Sequence, residues 1–246
     1  MSIPKIIHYC WFGGGTISPE NRKCMESWKK YCPDYKIIEW NEQNFEISQN
    51  RYAQQAYEAK KYAFVSDYVR LAVLYRYGGI YLDTDVELVR PLDELLELPG
   101  FMGFQNNNEV ATGLGLGACK GNPVVQALLR DYDALDFIKP DGSADLTPCP
   151  ERNTKVLQTL GVRKDGTRQS IAEMEIFPAE YFCPMDIYTR KLRVTPNTYS
   201  IHRFAESWKP KPSTVSCVLQ RLLKKRYYTW YCPLRSRIEG WLKKRP

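Results

Sequence analysis

A helical run of sixteen residues, closed by two glycines and followed at once by an apolar strand, constrains this chain more than any other feature. Residues 50–77 carry helical patterning, clearest from Tyr62 to Tyr77, and Gly78-Gly79 supply the left-handed stop that ends helices. Ile80-Tyr81-Leu82 then read as a strand, followed by Asp83-Thr84-Asp85, a second extended run Val86 to Val89 and a break at Pro91. The start of the chain repeats the alternation. A buried strand at Ile6–Trp11 runs into Gly13-Gly14-Gly15, a helix is capped by Ser18 with Pro19 in its first turn, and a strand follows at Lys36–Trp40. Strand–helix–strand order predicts an α/β sheet. Further strands are expected at Phe101–Phe104 and around Gly113–Cys119, and a helix from the Gly121-Asn122-Pro123 turn to Leu135. Residues 139–170 read as loop with one helical segment near 153–160.

The 246 residues are 43% apolar, 26% charged and 13% aromatic, which fits one globular domain with room for an appendage and excludes a disordered or collagen-like chain. No window offers eighteen uncharged apolar residues, so no membrane-spanning helix is expected. No apolar stretch precedes the first strand, and the absence of such a leader predicts a reducing, cytoplasmic setting. The eight cysteines contain no C-x-x-C pair, and buried free thiols are the expected state.

The net charge of +7 is local. Residues 217–246 hold nine basic side chains and only Glu239 as an acid, a segment of +8, so the other 216 residues together carry −1. A nucleic-acid binder with a broad basic face is therefore not expected. In the tail, Val215, Val218, Leu219, Leu222 and Leu223 form one apolar stripe, and Leu234, Ile238, Trp241 and Leu242 form another. Two short basic amphipathic helices are expected there. They are read as a foot on an anionic membrane surface, with a solvated cap on the main domain as the plainer alternative.

Asp83 and Asp85 are the strongest chemical signal. Two carboxylates at i and i+2 of an extended segment point the same way, with Cα atoms ~6.5–7 Å apart, and suit a hard divalent cation with its bound phosphates. Tyr81 shares that face. Asp67 and Arg70, at i and i+3 of the preceding helix, offer an acceptor for hydroxyls and a guanidinium for phosphate or sugar, although such a pair is also an ordinary surface ion pair. His8, on the first strand, reads as core. Gly13-Gly14-Gly15 match neither G-x-G-x-x-G nor a P-loop.

The run from Ser66-Asp67-Tyr68-Val69-Arg70 through Gly78-Gly79-Ile80-Tyr81-Leu82-Asp83-Thr84-Asp85 resembles the D-x-D signature of the sugar-transferring family (the family thirty-two type). That family contains the Golgi initiating α-mannosyltransferases and bacterial capsular polysaccharide glycosyltransferases, and its core is similar to that of the clostridial glucosylating toxins. Two further blocks resemble the same family: Ile3–Gly13, like its N-terminal strand and nucleotide loop, and Ile201-His202-Arg203-Phe204-Ala205-Glu206-Ser207-Trp208, like its C-terminal closure.

The resemblance implies a GT-A, Rossmann-like nucleotide-sugar-binding domain over residues 1–212, with the basic helical appendage at 213–246. It implies Mn2+ or Mg2+ on Asp85 and Asp83 with His202 completing the set. Asp67 and Arg70 would bind the donor sugar, Tyr81 would line the site, Trp11 would stack on the base, and Ser207 and Trp208 would sit over the β-phosphate. Trp11 and His202, taken alone, are more often core residues than ligand contacts.

The activity implied is retaining transfer of a hexose to a lipid-linked or protein-linked glycan acceptor, in surface polysaccharide or glycoprotein glycan synthesis at the inner face of the plasma membrane. UDP-hexose is the first donor choice and GDP-mannose the second, because indole stacking does not distinguish bases. Two rivals differ in kind. A haloacid-dehalogenase-type phosphatase wants Thr or Val where Glu87 stands. A non-catalytic sugar-binding module at the membrane would not need Asp67, Arg70, Asp83 and Asp85 together.

Overall fold

The computed structural model describes residues 2–186 and 189–205. The chain divides into two compact units, residues 1–185 with 193–205, and residues 186–192 with 206–246. In the second, Asp186 Oδ1 accepts from the backbone N–H of Thr189 at 2.7 Å and from its hydroxyl at 2.9 Å. The two amphipathic helices expected in the tail, and the boundary at 212/213, lie outside the described residues.

The first unit is the α/β fold that the alternation predicts. Its elements are β1 (Ile6–Cys10), α1 (Pro19–Tyr31), β2 (Lys36–Trp40), α2 (Arg51–Glu58), α3 (Tyr62–Tyr77), β3 (Gly79–Tyr81), β4 (Val86–Leu88), β5 (Gly100–Gly103) and β6 (Leu116–Ala118). After these come α4 (Pro123–Asp133), α5 (Cys149–Thr159), β7 (Gln169–Ile171), β8 (Met174–Phe177), α6 (Ala179–Phe182) and β9 (Ser200–His202). Seven strands form one sheet in the order β2-β1-β3-β6-β5-β8-β7, with β1 parallel to both β2 and β3 and with β6 antiparallel to β3 and β5. A separate two-stranded sheet pairs β4 with β9.

The sheet is buried on both faces. Residues of α2, α3, α4 and α5 pack with Tyr81, Met102 and Leu116 into one apolar cluster. Trp28 of α1 packs with Ile7, Ile80, Leu82, Val86 and Leu88 into the other. Alternation along β3 explains the division: Ile80 faces one cluster and Tyr81 the other.

The expected punctuation holds. Ser18 Oγ accepts from Asn21 N–H at 3.1 Å and caps α1, and Gly78 ends α3 at a φ of 69°. The helix expected near 153–160 begins four residues earlier, at Cys149, because Pro148 and Pro150 are compatible with a first turn, where an N–H is not needed. His8 is fully buried, as expected of a core residue: its Nε2 meets Gly78 O at 2.9 Å and its Nδ1 accepts from Trp40 Nε1 at 3.0 Å.

Candidate active site

Asp83-Thr84-Asp85 lie in the connection between β3 and β4, and their backbone departs from the extended geometry expected. Val86 N–H donates to Asp83 O at 3.0 Å, so the motif is a tight turn rather than the end of a strand. The turn is clamped from below by α1: Asn21 Nδ2 donates to Thr84 Oγ1 at 2.9 Å, and Trp28 Nε1 to Val86 O at 2.7 Å. Both anchors are buried.

Tertiary pairing brings in the third side chain. β9 runs antiparallel to β4 with Val86 opposite His202, so His202 arrives one residue from Asp85 along the ladder. His202 Nε2 lies 3.2 Å from Asp85 Oδ1, and Ala205 N–H donates to Asp85 Oδ2 at 2.8 Å. Burial alone would raise the Asp85 carboxyl, but His202 and the Ala205 N–H outweigh it and hold the group below the usual carboxylate range. One ligand atom each from Asp83, Asp85 and His202 lie within 4.8 Å of one another. Two carboxylates and an imidazole are a donor set suited to a divalent cation, so the residues present fit the metal that the sequence implies.

Behind this cluster stands Arg70, 5% exposed. Its Nη1 pairs with Asp67 Oδ1 at 3.0 Å and its Nη2 with Asp83 Oδ1 at 3.1 Å, while its guanidinium carbon lies 4.9 Å from the centroid of the Tyr81 ring. The Tyr81 hydroxyl donates to the same Asp83 Oδ1 at 3.0 Å. The i, i+3 pair is therefore a buried bridge between α3 and the D-x-D turn, and the ordinary surface pair is excluded. Burial raises the Asp67 carboxyl to about 6; Arg70 opposes that shift and Asp83 adds to it. Burial would lower the Arg70 guanidinium, but Asp83, Tyr81 and Asp67 carry it well above its ordinary value. The two directions are consistent because Arg70 faces two carboxylates, whereas Asp67 shares one guanidinium with a competing carboxylate.

Trp11 follows β1 and is half-buried. Its indole N–H donates to Gly15 O at 2.5 Å, and its ring packs in part against the apolar cluster around Trp28. Ser207 and Trp208 lie outside the described residues.

Sequence reasoning missed the segment from Thr112 and the start of α5. Arg70 Nη1 also meets Thr112 Oγ1 at 3.3 Å and Cys149 Sγ at 3.4 Å, and Asn153 Nδ2 donates to Thr112 Oγ1 at 3.0 Å. Only the glycine pattern Thr112-Gly113-Leu114-Gly115-Leu116-Gly117 signals this region in advance. A Cβ on Gly113 would stand 1.9 Å from Asp83 Oδ2. Gly113→Ala is accordingly expected to push the Asp83 carboxylate off Arg70 and Tyr81 and to lower donor turnover about ten-fold or more, with the fold retained. Hydrolysis assays and melting curves of the variant check this, and unchanged turnover would refute it.

Residues 18–101, which include Asp67, Arg70, Tyr81, Asp83 and Asp85, match the family described as "Glycosyltransferase sugar-binding region containing DXD motif". The mixed seven-stranded sheet around this segment is the α/β class expected from the sequence.

Among similar proteins, inositol phosphoceramide mannosyltransferase 3 of Schizosaccharomyces pombe is 30% identical over 55% of this chain and 39% of its own length. Mannosyl phosphorylinositol ceramide synthase SUR1 of Saccharomyces cerevisiae is 34% identical over 55% of this chain and 37% of its own. The chain thus spans about two fifths of these relatives. An uncharacterized glycosyltransferase of Acanthamoeba polyphaga mimivirus is 25% identical over 85% of this chain and 84% of its own. Among solved structures, the PaToxG glycosyltransferase is similar over 64% of this chain and 69% of its own, with 22% identity and a TM-score of 0.47.

Proposed function

We propose that this protein is a divalent-metal-dependent glycosyltransferase that moves a hexose from a nucleotide sugar to a glycan or glycolipid acceptor with retention of anomeric configuration. The convergence of Asp83, Asp85 and His202 directly in front of the buried Asp67–Arg70 pair, within a sugar-binding region, carries this reading. UDP-hexose is the first donor choice on sequence grounds. The two yeast relatives are named for mannosyl transfer to inositol phosphoceramide, which brings a mannosyl donor and a lipid-borne acceptor to the front of the tests. The +8 segment at residues 217–246 supports a place at the inner face of an anionic plasma membrane, where such an acceptor is within reach.

The mechanism follows from the groups present. Asp85, Asp83 and His202 would hold Mn2+ or Mg2+, which when bound neutralises charge developing on a departing diphosphate as a Lewis acid. Asp67 accepts from hydroxyls of the sugar and Arg70 fixes its orientation. Tyr81, a phenol kept neutral by burial and by the nearby Cys10 and Asp83, holds Asp83 in place through its hydroxyl. Trp11 contacts the base, and Ser207 and Trp208 are assigned to the β-phosphate, where hydrogen bonds strengthen as charge grows.

Hydrolysis of a panel of UDP- and GDP-sugars without acceptor, with and without Mn2+, tests the reading. Metal-dependent cleavage of one donor, or its tight metal-dependent binding without cleavage, is the expected result. Failure of every donor to bind would overturn it.

A further inference from the structure

We propose that Cys149 is a positioning residue of the donor-sugar subsite, a thiol hub that holds Asp67 and Arg70 in the geometry that grips the sugar; the inference rests on the glycosyltransferase reading above. Cys149 is the first residue of α5 and is 7% exposed, yet it does not sit as an apolar filler. Its Sγ accepts from Asn153 Nδ2 at 3.1 Å and Arg70 Nη1 at 3.4 Å and shares a hydrogen with Thr112 Oγ1 at 3.3 Å. The thiol also faces the Asp67 carboxylate and favours its ionised form. Cys149 thus touches both members of the pair assigned to the sugar, and the two further polar groups that border them.

The hub requires a neutral thiol, since an S–H can face the Asp67 carboxylate while sulfur accepts from the others, whereas a thiolate would repel that carboxylate. Burial and the charge of Asp67 push the Cys149 thiol up to about 12, although Arg70 opposes them, so the proton stays on sulfur. The bond lengths explain why sulfur stands here. A hydroxyl oxygen bonds well at about 2.7–3.0 Å. It would fall short of three partners that lie between 3.1 and 3.4 Å from the sulfur.

A second observation marks this cluster as a ligand site. Asn153 is 1% exposed, and its Oδ1 is buried with no hydrogen-bond partner among the described residues; the same is true of Arg70 Nε. One acceptor and one donor are thus left open beside the hub. Buried polar groups are nearly always satisfied, so a pair left open beside a built set of side chains fits a ligand that both donates and accepts. The hydroxyls of a hexose do both.

The test separates the sugar from the nucleotide. Calorimetric titrations with Mn2+ present would compare UDP-glucose and GDP-mannose with plain UDP and GDP, on the full chain and on its Cys149→Ala and Cys149→Ser variants. For whichever nucleotide sugar the wild type binds, Cys149→Ala is expected to weaken affinity about ten-fold while leaving the plain diphosphate unchanged. Cys149→Ser is expected to recover part of the loss, and it answers the question alone if the alanine variant does not fold. Equal weakening of sugar nucleotide and plain diphosphate would mean a merely structural cysteine, and no weakening of either would also overturn the assignment. A wild type that binds no nucleotide sugar at all would fail at the earlier step, overturning the transferase reading and this inference together.

Discussion

Asp85→Asn is expected to lower metal-dependent donor turnover by about three orders of magnitude, the scale on which charge stabilisation of a leaving group operates. Asparagine keeps the volume of the side chain and an oxygen for the Ala205 N–H, but it removes the negative charge beside His202. The fold should survive, because Asn21 and Trp28 clamp the turn through Thr84 and the Val86 carbonyl, neither of which involves the Asp85 side chain. On the proposed function, the wild-type protein should lose donor turnover to a chelator and regain it with Mn2+, whereas the variant should respond to neither. Combining Asp85→Asn with His202→Ala should add little further loss, since residues acting as one site are not additive. A variant that retained most of its turnover would remove Asp85 from the cation site.

The second large effect is on stability. Arg70→Met should destabilise the protein by about 3–5 kcal/mol, since it leaves the buried carboxyl of Asp67 and the part-buried carboxyl of Asp83 without their shared guanidinium. In a chain of this size that is a drop of roughly 10 °C or more in Tm.

Asp67→Asn should behave differently. A carboxyl raised to about 6 in the folded protein, against an ordinary value near 4, is taken up by folding in its protonated form. Its burden is therefore absent below about pH 4, grows between 4 and 6, and is fully present above, where it reaches about 3 kcal/mol on an order-of-magnitude reckoning. Relative to wild type, Asp67→Asn should gain stability as pH rises through that window, while losing grip on the donor sugar. Thermal melts of both variants at pH 4 and pH 8 decide the matter. A larger loss at pH 8 for Asp67→Asn than for Arg70→Met would contradict the asymmetry of the pair. On the proposed function, the wild-type site trades stability for an anion that would accept from sugar hydroxyls.

The elements that carry this chemistry differ in how visible they were beforehand. The helix from Tyr62, its glycine stop, the strand at Ile80 and the Asp83, Asp85, Asp67 and Arg70 set were legible because each depends on local signals: periodicity, a cap, and spacing within a few residues. The burial of Asp67 and Arg70 was not legible. An i, i+3 pair has the same spelling on a surface and in a core, and only the packing of α3 between the sheet and α4 excludes solvent from it. The turn geometry of the motif was missed for a related reason, since an extended i, i+2 pair and a tight turn share one sequence.

His202 marks the boundary between the two kinds of information. The motif around it named the residue, but its place beside Asp85 comes from the β4–β9 ladder, a pairing between distant parts of the chain. Beyond the glycine pattern that starts at Thr112, the residues Cys149, Asn153, Thr112 and Gly113 carry no chemical signal, because a cysteine in a proline-rich stretch or a glycine in a glycine-rich one is defined by what folds against it. Local sequence determined the α/β alternation, the D-x-D motif and the pair that backs it. Tertiary structure alone decided which side chains share the burial and the hydrogen bonds that turn those residues into one site, since burial and long-range pairing belong to the packed molecule and not to any segment of it.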